Sequence, residues 1–168
     1  MQPNQALLEN PLSLEDLPFF QGLSAADRSR ILAHFRVEEH HAGEVLFLQG
    51  DYAERLYLLV SGQMEIRFKP DDGEELLVAV IEAGGVFGWS AALGRRRYTS
   101  RALCTADGRC LSIRGRDLRR ICDEHPTTGV VLLERLAEVI AQRLTSTHVH
   151  VMSMLRQGME PGREGRPS

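Results

Sequence analysis

The chain lacks most of what would mark an enzyme, a membrane protein or a disulfide scaffold. Its three cysteines, Cys104, Cys110 and Cys122, are an odd number without a Cys-x-x-Cys pair. Neither a disulfide framework nor a zinc site is indicated, and free thiols fit a reducing cytoplasm, the expected location. No apolar run approaches the roughly 18 residues that cross a membrane, and the N-terminus lacks the charged-then-apolar order of a signal peptide. Aromatic residues make up 6% of the chain, with one tryptophan, Trp89. Lysine is nearly absent: Lys69 is the only one, so arginine carries the positive charge. No nucleophile–base pattern stands out, the cysteines lie among core-type residues, and no enzymatic activity is expected.

What remains is 168 residues with 43% hydrophobic content, enough for one domain with a real core. The net charge is −3 but unevenly spread. Residues 1–94 hold 15 Asp and Glu against 6 Arg and Lys, whereas residues 95–120 hold 9 Arg against Asp107 and Asp117. A basic segment that dense can attract nucleic acid. The weak total charge and the scarcity of aromatics within it favour a solvated strand-and-helix face.

Ser24-Ala25-Ala26-Asp27 has the layout of a capping box and predicts a helix ending near Arg36, with Ile31, Leu32 and Phe35 facing a core. From Val37 the pattern changes to short strands: Val45–Leu48, Leu56–Val60, Met64–Phe68, Leu76–Ile81, Thr99–Cys104 and Cys110–Ile113. Glycine-containing separators, including Ser61-Gly62 and Asp107-Gly108, predict hairpin turns and a sandwich or small barrel. Helical spacing returns at Asp117–Asp123. After Pro126 a long helix runs to about Leu155, its apolar stripe of Leu133, Leu136, Ile140 and Leu144 placed to pack on the strands or to pair with a second copy.

The most informative stretch is 84–101, Gly84-Gly85-Val86-Phe87-Gly88-Trp89-Ser90-Ala91-Ala92-Leu93-Gly94-Arg95-Arg96-Arg97-Tyr98-Thr99-Ser100-Arg101. Small residues predict a turn into a helix start, whose unpaired N–H groups and partial positive charge suit an anion. Three arginines follow, each able to offer a phosphate a bidentate fork.

Several motifs in order then resemble one family. Leu17-Pro18-Phe19-Phe20-Gln21-Gly22-Leu23-Ser24, Gly43-Glu44-Val45-Leu46-Phe47-Leu48-Gln49-Gly50-Asp51, Leu56-Tyr57-Leu58-Leu59-Val60-Ser61-Gly62 and the 84–101 stretch are similar to the cyclic nucleotide-binding domain of the catabolite activator and protein kinase A regulatory-subunit superfamily, over about residues 17–150. The resemblance implies an α+β, mainly β fold: a jelly-roll-type β-barrel with N-terminal helices and a C-terminal helical pair. The barrel domain with flanking helices takes 12–126 and a C-terminal helix 127–156, while the polar stretch 1–11 is expected to be flexible and the Gly-, Pro- and charge-rich tail 157–168 disordered. The resemblance also implies a phosphate cassette at 84–101 in which backbone N–H groups and one arginine hold the phosphate, and a glutamate takes the ribose hydroxyl. The implied ligand is a cyclic nucleotide such as cAMP or cGMP, or another small phosphorylated compound, with no further cofactor, and its binding would reposition the C-terminal helices.

The sequence departs from that pattern. Gly88 is followed by Trp89 instead of the ribose-binding glutamate, an acceptor whose hydrogen bond contributes roughly 1.5–3 kcal/mol. The cassette is short, so the phosphate arginine has three candidates, with Arg97 first, Arg96 next and Arg95 third. Gly88, Ser90, Ala91, Arg96, Arg97 and Thr99 are the candidate ligand residues, and Trp89 either stacks on base or sugar or fills the pocket and leaves a ligand-free interaction module. The long helix is expected to make a homodimer or dock a partner. No recognisable helix-turn-helix follows it, so direct DNA binding is not expected. A metal-binding reading of His40, His41 and Glu44 is disfavoured, because adjacent side chains on a strand face opposite ways and the next histidine is His125. His148 and His150, two apart on a helix, do not face each other.

Overall fold

Leu56–Val60 is apolar at every position, and the reason is that both faces of its strand are covered. The computed structural model describes residues 14–158. Leu56, Leu58 and Val60 point to a core shared with the helices, and Tyr57 and Leu59 point to a second core inside the sheet. Two short 3-10 turns, Leu14–Asp16 and Pro18–Phe20, lead into α1 (Ala25–Leu32). The strands are β1 (Arg36–His40), β2 (Val45–Phe47), β3 (Arg55–Phe68), β4 (Leu76–Ile81), β5 (Val86–Phe87) and β6 (Arg101–Arg114). Helices α2 (Gly115–Glu124) and α3 (Pro126–Gly158) complete the order. The N- and C-terminal segments expected to be loose, 1–11 and all but the start of 157–168, lie outside the described residues.

The sheet is antiparallel in the order β1-β6-β3-β4, with β2 also on β6 and β5 also on β3. Its ladder does not close on itself, so the jelly-roll-like architecture is an open roll with helices against one face. Ser24 caps α1 as its sequence predicts, accepting from the Asp27 N–H at 3.1 Å. The helix stops at Leu32, and the exposed strand β1, whose polar residues give little apolar signal, begins at Arg36.

The two expected hairpins at Ser61-Gly62 and Asp107-Gly108 are absent. The chain runs straight through both, giving two 14-residue strands, β3 and β6, that pair with each other. The glycines serve a shared irregularity instead. A Cβ at Gly108 would lie 2.0 Å from the Ser61 carbonyl oxygen, and one at Gly62 would lie 2.6 Å from that of Ala106. The close backbone approach, with a shifted register around Ser61 and Gln63, requires residues without side chains.

Phe20, Ile31, Leu118, Ile121, Leu132 and Leu136 fill the helix-facing core. Gly115, the first residue of α2, presses on the 84–101 loop so closely that a Cβ there would meet the Ala91 carbonyl oxygen at 2.1 Å. Gly115→Ala should therefore destabilise the protein by about 1–3 kcal/mol, through overpacking against a backbone that cannot yield. Urea denaturation checks this, and an unchanged midpoint would contradict the packing described.

Candidate functional site

The 84–101 loop is fastened at three points. Val86 and Phe87 pair with Leu58 and Tyr57 of β3. Gly88 follows at φ 72°, where a Cβ would come within 2.9 Å of the Arg55 carbonyl oxygen. The segment Trp89–Gly94 is a run of turns and not the expected start of a helix. Leu93 N–H donates to the Trp89 carbonyl at 3.0 Å, but Arg95 N–H reaches back five residues to Ser90 at 2.9 Å. The turn thus widens within one revolution, and Gly94 at φ 70° ends it. The N–H groups of Trp89 and Ser90 have no acceptor among the described residues. Beyond the turn, Tyr98 ties the loop to the neighbouring 50–53 segment, donating its N–H to Asp51 and accepting from Gly50, both at 2.9 Å.

This loop, the inner face of the sheet and α3 enclose a pocket of about 280 Å³. Phe47, Trp89 and Tyr98 supply aromatic wall, and Ile66 and Val78 supply aliphatic wall. Ser90, Thr99 and Ser100 bring hydroxyls to it. Helix α3 forms the remaining side with Ile140, Arg143, Leu144 and Thr147, residues spaced i, i+3, i+4 and i+7 on one helical face. Tyr98 stacks on Phe47 with ring centroids 3.8 Å apart. Its hydroxyl donates to the Arg55 carbonyl at 2.7 Å and accepts from the Arg55 N–H at 2.9 Å. Burial raises the Tyr98 pKa, so the phenol stays a neutral donor.

The family profile described as the cyclic nucleotide-binding domain matches residues 37–125, which hold all six strands of the described residues bar the first residue of β1, the loop and the whole of α2. The chain belongs to that family. The Cyclic AMP receptor protein of Thermus thermophilus is 24% identical over 160 residues, covering 86% of this chain and 72% of that relative. The cAMP-dependent protein kinase regulatory subunit of Mycosarcoma maydis is 35% identical over 80 residues, covering 48% of this chain and 15% of the relative. A CRP-like cAMP-activated global transcriptional regulator of Mycobacterium tuberculosis is 25% identical over 144 residues, and the chain spans 62% of it. The fold is shared with a solved cyclic nucleotide-binding domain from Methylobacillus flagellatus, at TM-score 0.76 and 13% identity, over 84% of this chain and 79% of that one. It is also shared with the Thermus thermophilus catabolite activator protein, at TM-score 0.68 and 24% identity, over 82% and 62%.

Within this cyclic nucleotide-binding domain the expected ligand residues separate into two groups. Gly88, Trp89, Ser90 and Thr99 line the pocket. Ala91 is buried behind it, its carbonyl accepting from Arg119 at 2.9 Å. None of Arg95, Arg96 and Arg97 lines the pocket, and all three are exposed. Arg97, first choice from sequence, donates to the Gly50 carbonyl at 2.7 Å and lies 4.5 Å over the Tyr52 ring. An isolated antiparallel bridge pairs Arg97 with Tyr52. Trp89 forms a wall of the pocket without occupying all of it.

The cation that does line the pocket is Arg143 of α3, which sequence reasoning passed over. Its guanidinium donates to the Val86 carbonyl and lies 4.2 Å over the Trp89 ring. Burial depresses its pKa to about 10. Arg143 stands between Ile140 and Leu144 on the helix face that lines the pocket, and no local pattern marks it as a ligand residue. No carboxylate lines the pocket.

Elsewhere His40 sits between Glu44, at 3.1 Å, and Glu38, at 3.5 Å, while His41 turns outward to Asp107 at 3.6 Å. The two histidines do not converge. Burial raises the pKa of Cys104 and Cys122 and pushes that of Cys110 up to about 12, the opposite of what activates a thiol.

Two outcomes follow from this geometry. Tyr98→Phe leaves the Arg55 N–H and carbonyl without the phenol, and should cost about 1–3 kcal/mol in urea denaturation. In native protein at about pH 8, a thiol reagent should modify the partly exposed Cys122 first and reach Cys104 and Cys110 only on unfolding, as read by mass spectrometry of labelled peptides.

Proposed function

We propose that this domain is a regulatory sensor whose pocket takes a small ligand, a cyclic nucleotide such as cAMP or cGMP or another small phosphorylated compound, and whose output is the position of α3. The observation that carries this reading is that one pocket is lined by both the 84–101 loop and α3. A ligand with different affinity for the two helix positions shifts the helix by that difference. Family membership supports the ligand class, and the names of the relatives above concern cAMP. Gly88, Ser90 and Thr99 offer the polar contacts, with Trp89 beside base or sugar. The absence of a carboxylate from the pocket sets a weaker hold on a ribose hydroxyl than the family pattern implies.

A second reading is favoured by the contact between Arg143 and Trp89, which joins α3 to the loop with no ligand needed. In that case the domain is a ligand-free interaction module. Both readings use the outer part of α3, where Leu144, Met152 and Leu155 recur on one face and are 66%, 42% and 55% exposed. We propose that this stripe pairs with a second copy or docks a partner helix.

Calorimetric titration with cAMP and cGMP separates the two readings. The cyclic nucleotide reading expects saturable heat below millimolar ligand; no heat at millimolar cAMP or cGMP removes the cyclic nucleotide as ligand, and no heat with inorganic phosphate either overturns the sensor in favour of the ligand-free module. For the stripe, Met152→Glu combined with Leu155→Glu should convert a dimer to a monomer in light scattering. A monomer already in the unmodified chain excludes self-pairing.

A further inference from the structure

We propose that Arg143 of α3 recognises the anionic group of the ligand, so that the anion site of this domain lies on the helix that reports binding and not on the 84–101 loop. The inference rests on the sensor reading above and specifies how its pocket works. Among the described residues, Arg143 is the one charged residue lining the pocket. Two contacts engage it, the Val86 carbonyl and the Trp89 ring, and no acidic group among the described residues pairs with it. A guanidinium has five N–H donors, and the one partner for them among the described residues is the Val86 carbonyl.

A partly buried cation without a counter-ion gives up some of its hydration without repayment. Burial already shows in the depressed pKa of this group. A π-face and one carbonyl offset that cost only in part. An anion entering the pocket supplies what the site lacks and binds the fork bidentately. Ser90, Thr99 and Thr147 line the same space, the Thr147 hydroxyl donating to the Arg143 carbonyl at 2.9 Å. The rest of the wall is aromatic or aliphatic, so the matching ligand class is a small anion with a flat, largely apolar body.

The placement has a consequence for coupling. Arg143 cannot turn fully toward an anion while it remains over the Trp89 ring and on the Val86 carbonyl. Anion binding therefore exchanges contacts that hold α3 to the loop for contacts that hold α3 to the ligand. Trp89, the one tryptophan of the chain, reports that exchange directly.

The test follows Trp89 emission at fixed ionic strength while titrating cAMP, inorganic phosphate and adenosine. Wild-type protein, Arg143→Gln, Arg143→Lys and Arg97→Gln are compared, with circular dichroism confirming that each is folded. cAMP and phosphate should shift the emission of wild type and of Arg97→Gln with equal affinity. Arg143→Gln should weaken both by about tenfold or more, the loss of a charge-assisted contact, and leave adenosine unchanged. Arg143→Lys, which keeps the charge but not the fork, should fall between them and keeps the comparison open if the glutamine variant fails to fold. Undiminished cAMP affinity in both Arg143 variants, with a loss in Arg97→Gln, overturns the assignment and returns the anion to the loop. Calorimetric heat with cAMP that is independent of Arg143 leaves the sensor reading standing and removes this inference alone. An Arg143-dependent response to phosphate without any cAMP heat retains the anion site and removes the cyclic nucleotide as ligand. No response to any probe by either method removes both.

Discussion

The guanidinium of Arg143 joins two parts of the molecule that otherwise meet only through side-chain packing. It belongs to α3, yet its partners, the Val86 carbonyl and the Trp89 ring, belong to the loop that forms the pocket. Further along its length α3 is fixed by apolar burial, with Leu132 and Leu136 in the core near its start and Arg135 donating to the Gln21 carbonyl. Beyond Leu144 its side chains are mostly exposed. Arg143 thus sits where a firmly packed helix becomes a free one, a position from which a small change in contact can alter the path of the exposed half.

The loop can serve as the fixed partner because its own geometry is held by close backbone contacts. Gly88 lies against the Arg55 carbonyl, and Gly115 lies against that of Ala91. The Tyr98 hydroxyl closes a two-way hydrogen-bonded contact with Arg55. Each contact ties the loop to β3 or to α2, both parts of the main core. Ligand entry therefore meets a rigid wall on one side and α3, held at its outer half by one polar contact and a few apolar ones, on the other.

Much of this fold was legible in the sequence. The capping box at Ser24, the doubly buried run of Leu56–Val60 and the long helix after Pro126 each follow from one local rule. The failures have a common cause. Ser61-Gly62 and Asp107-Gly108 read as hairpin turns because glycine with a small polar neighbour is the usual signal for one, but here the two glycines meet across paired strands, a long-range fact. Arg97 follows the glycine-rich turn as the phosphate candidate, and the fold pairs it with Tyr52 and leaves it out of the pocket lining. Arg143 was hidden for the converse reason: it lies 54 residues beyond Trp89 in the chain, and only the packing of α3 on the sheet brings them to 4.2 Å. The pocket's aromatic and hydroxyl wall at 88–99 was readable, and its cation was not.

The contact between Arg143 and Trp89 holds α3 to the pocket. A double-mutant cycle measures it directly: unfolding free energies in urea for wild type, Trp89→Leu, Arg143→Met and the double variant. A coupling of about 1–2 kcal/mol between the two positions is predicted, the range of a partly desolvated cation–π pair. Effects that add to within about 0.3–0.5 kcal/mol would show that the two side chains are neighbours without interaction, and would contradict the account.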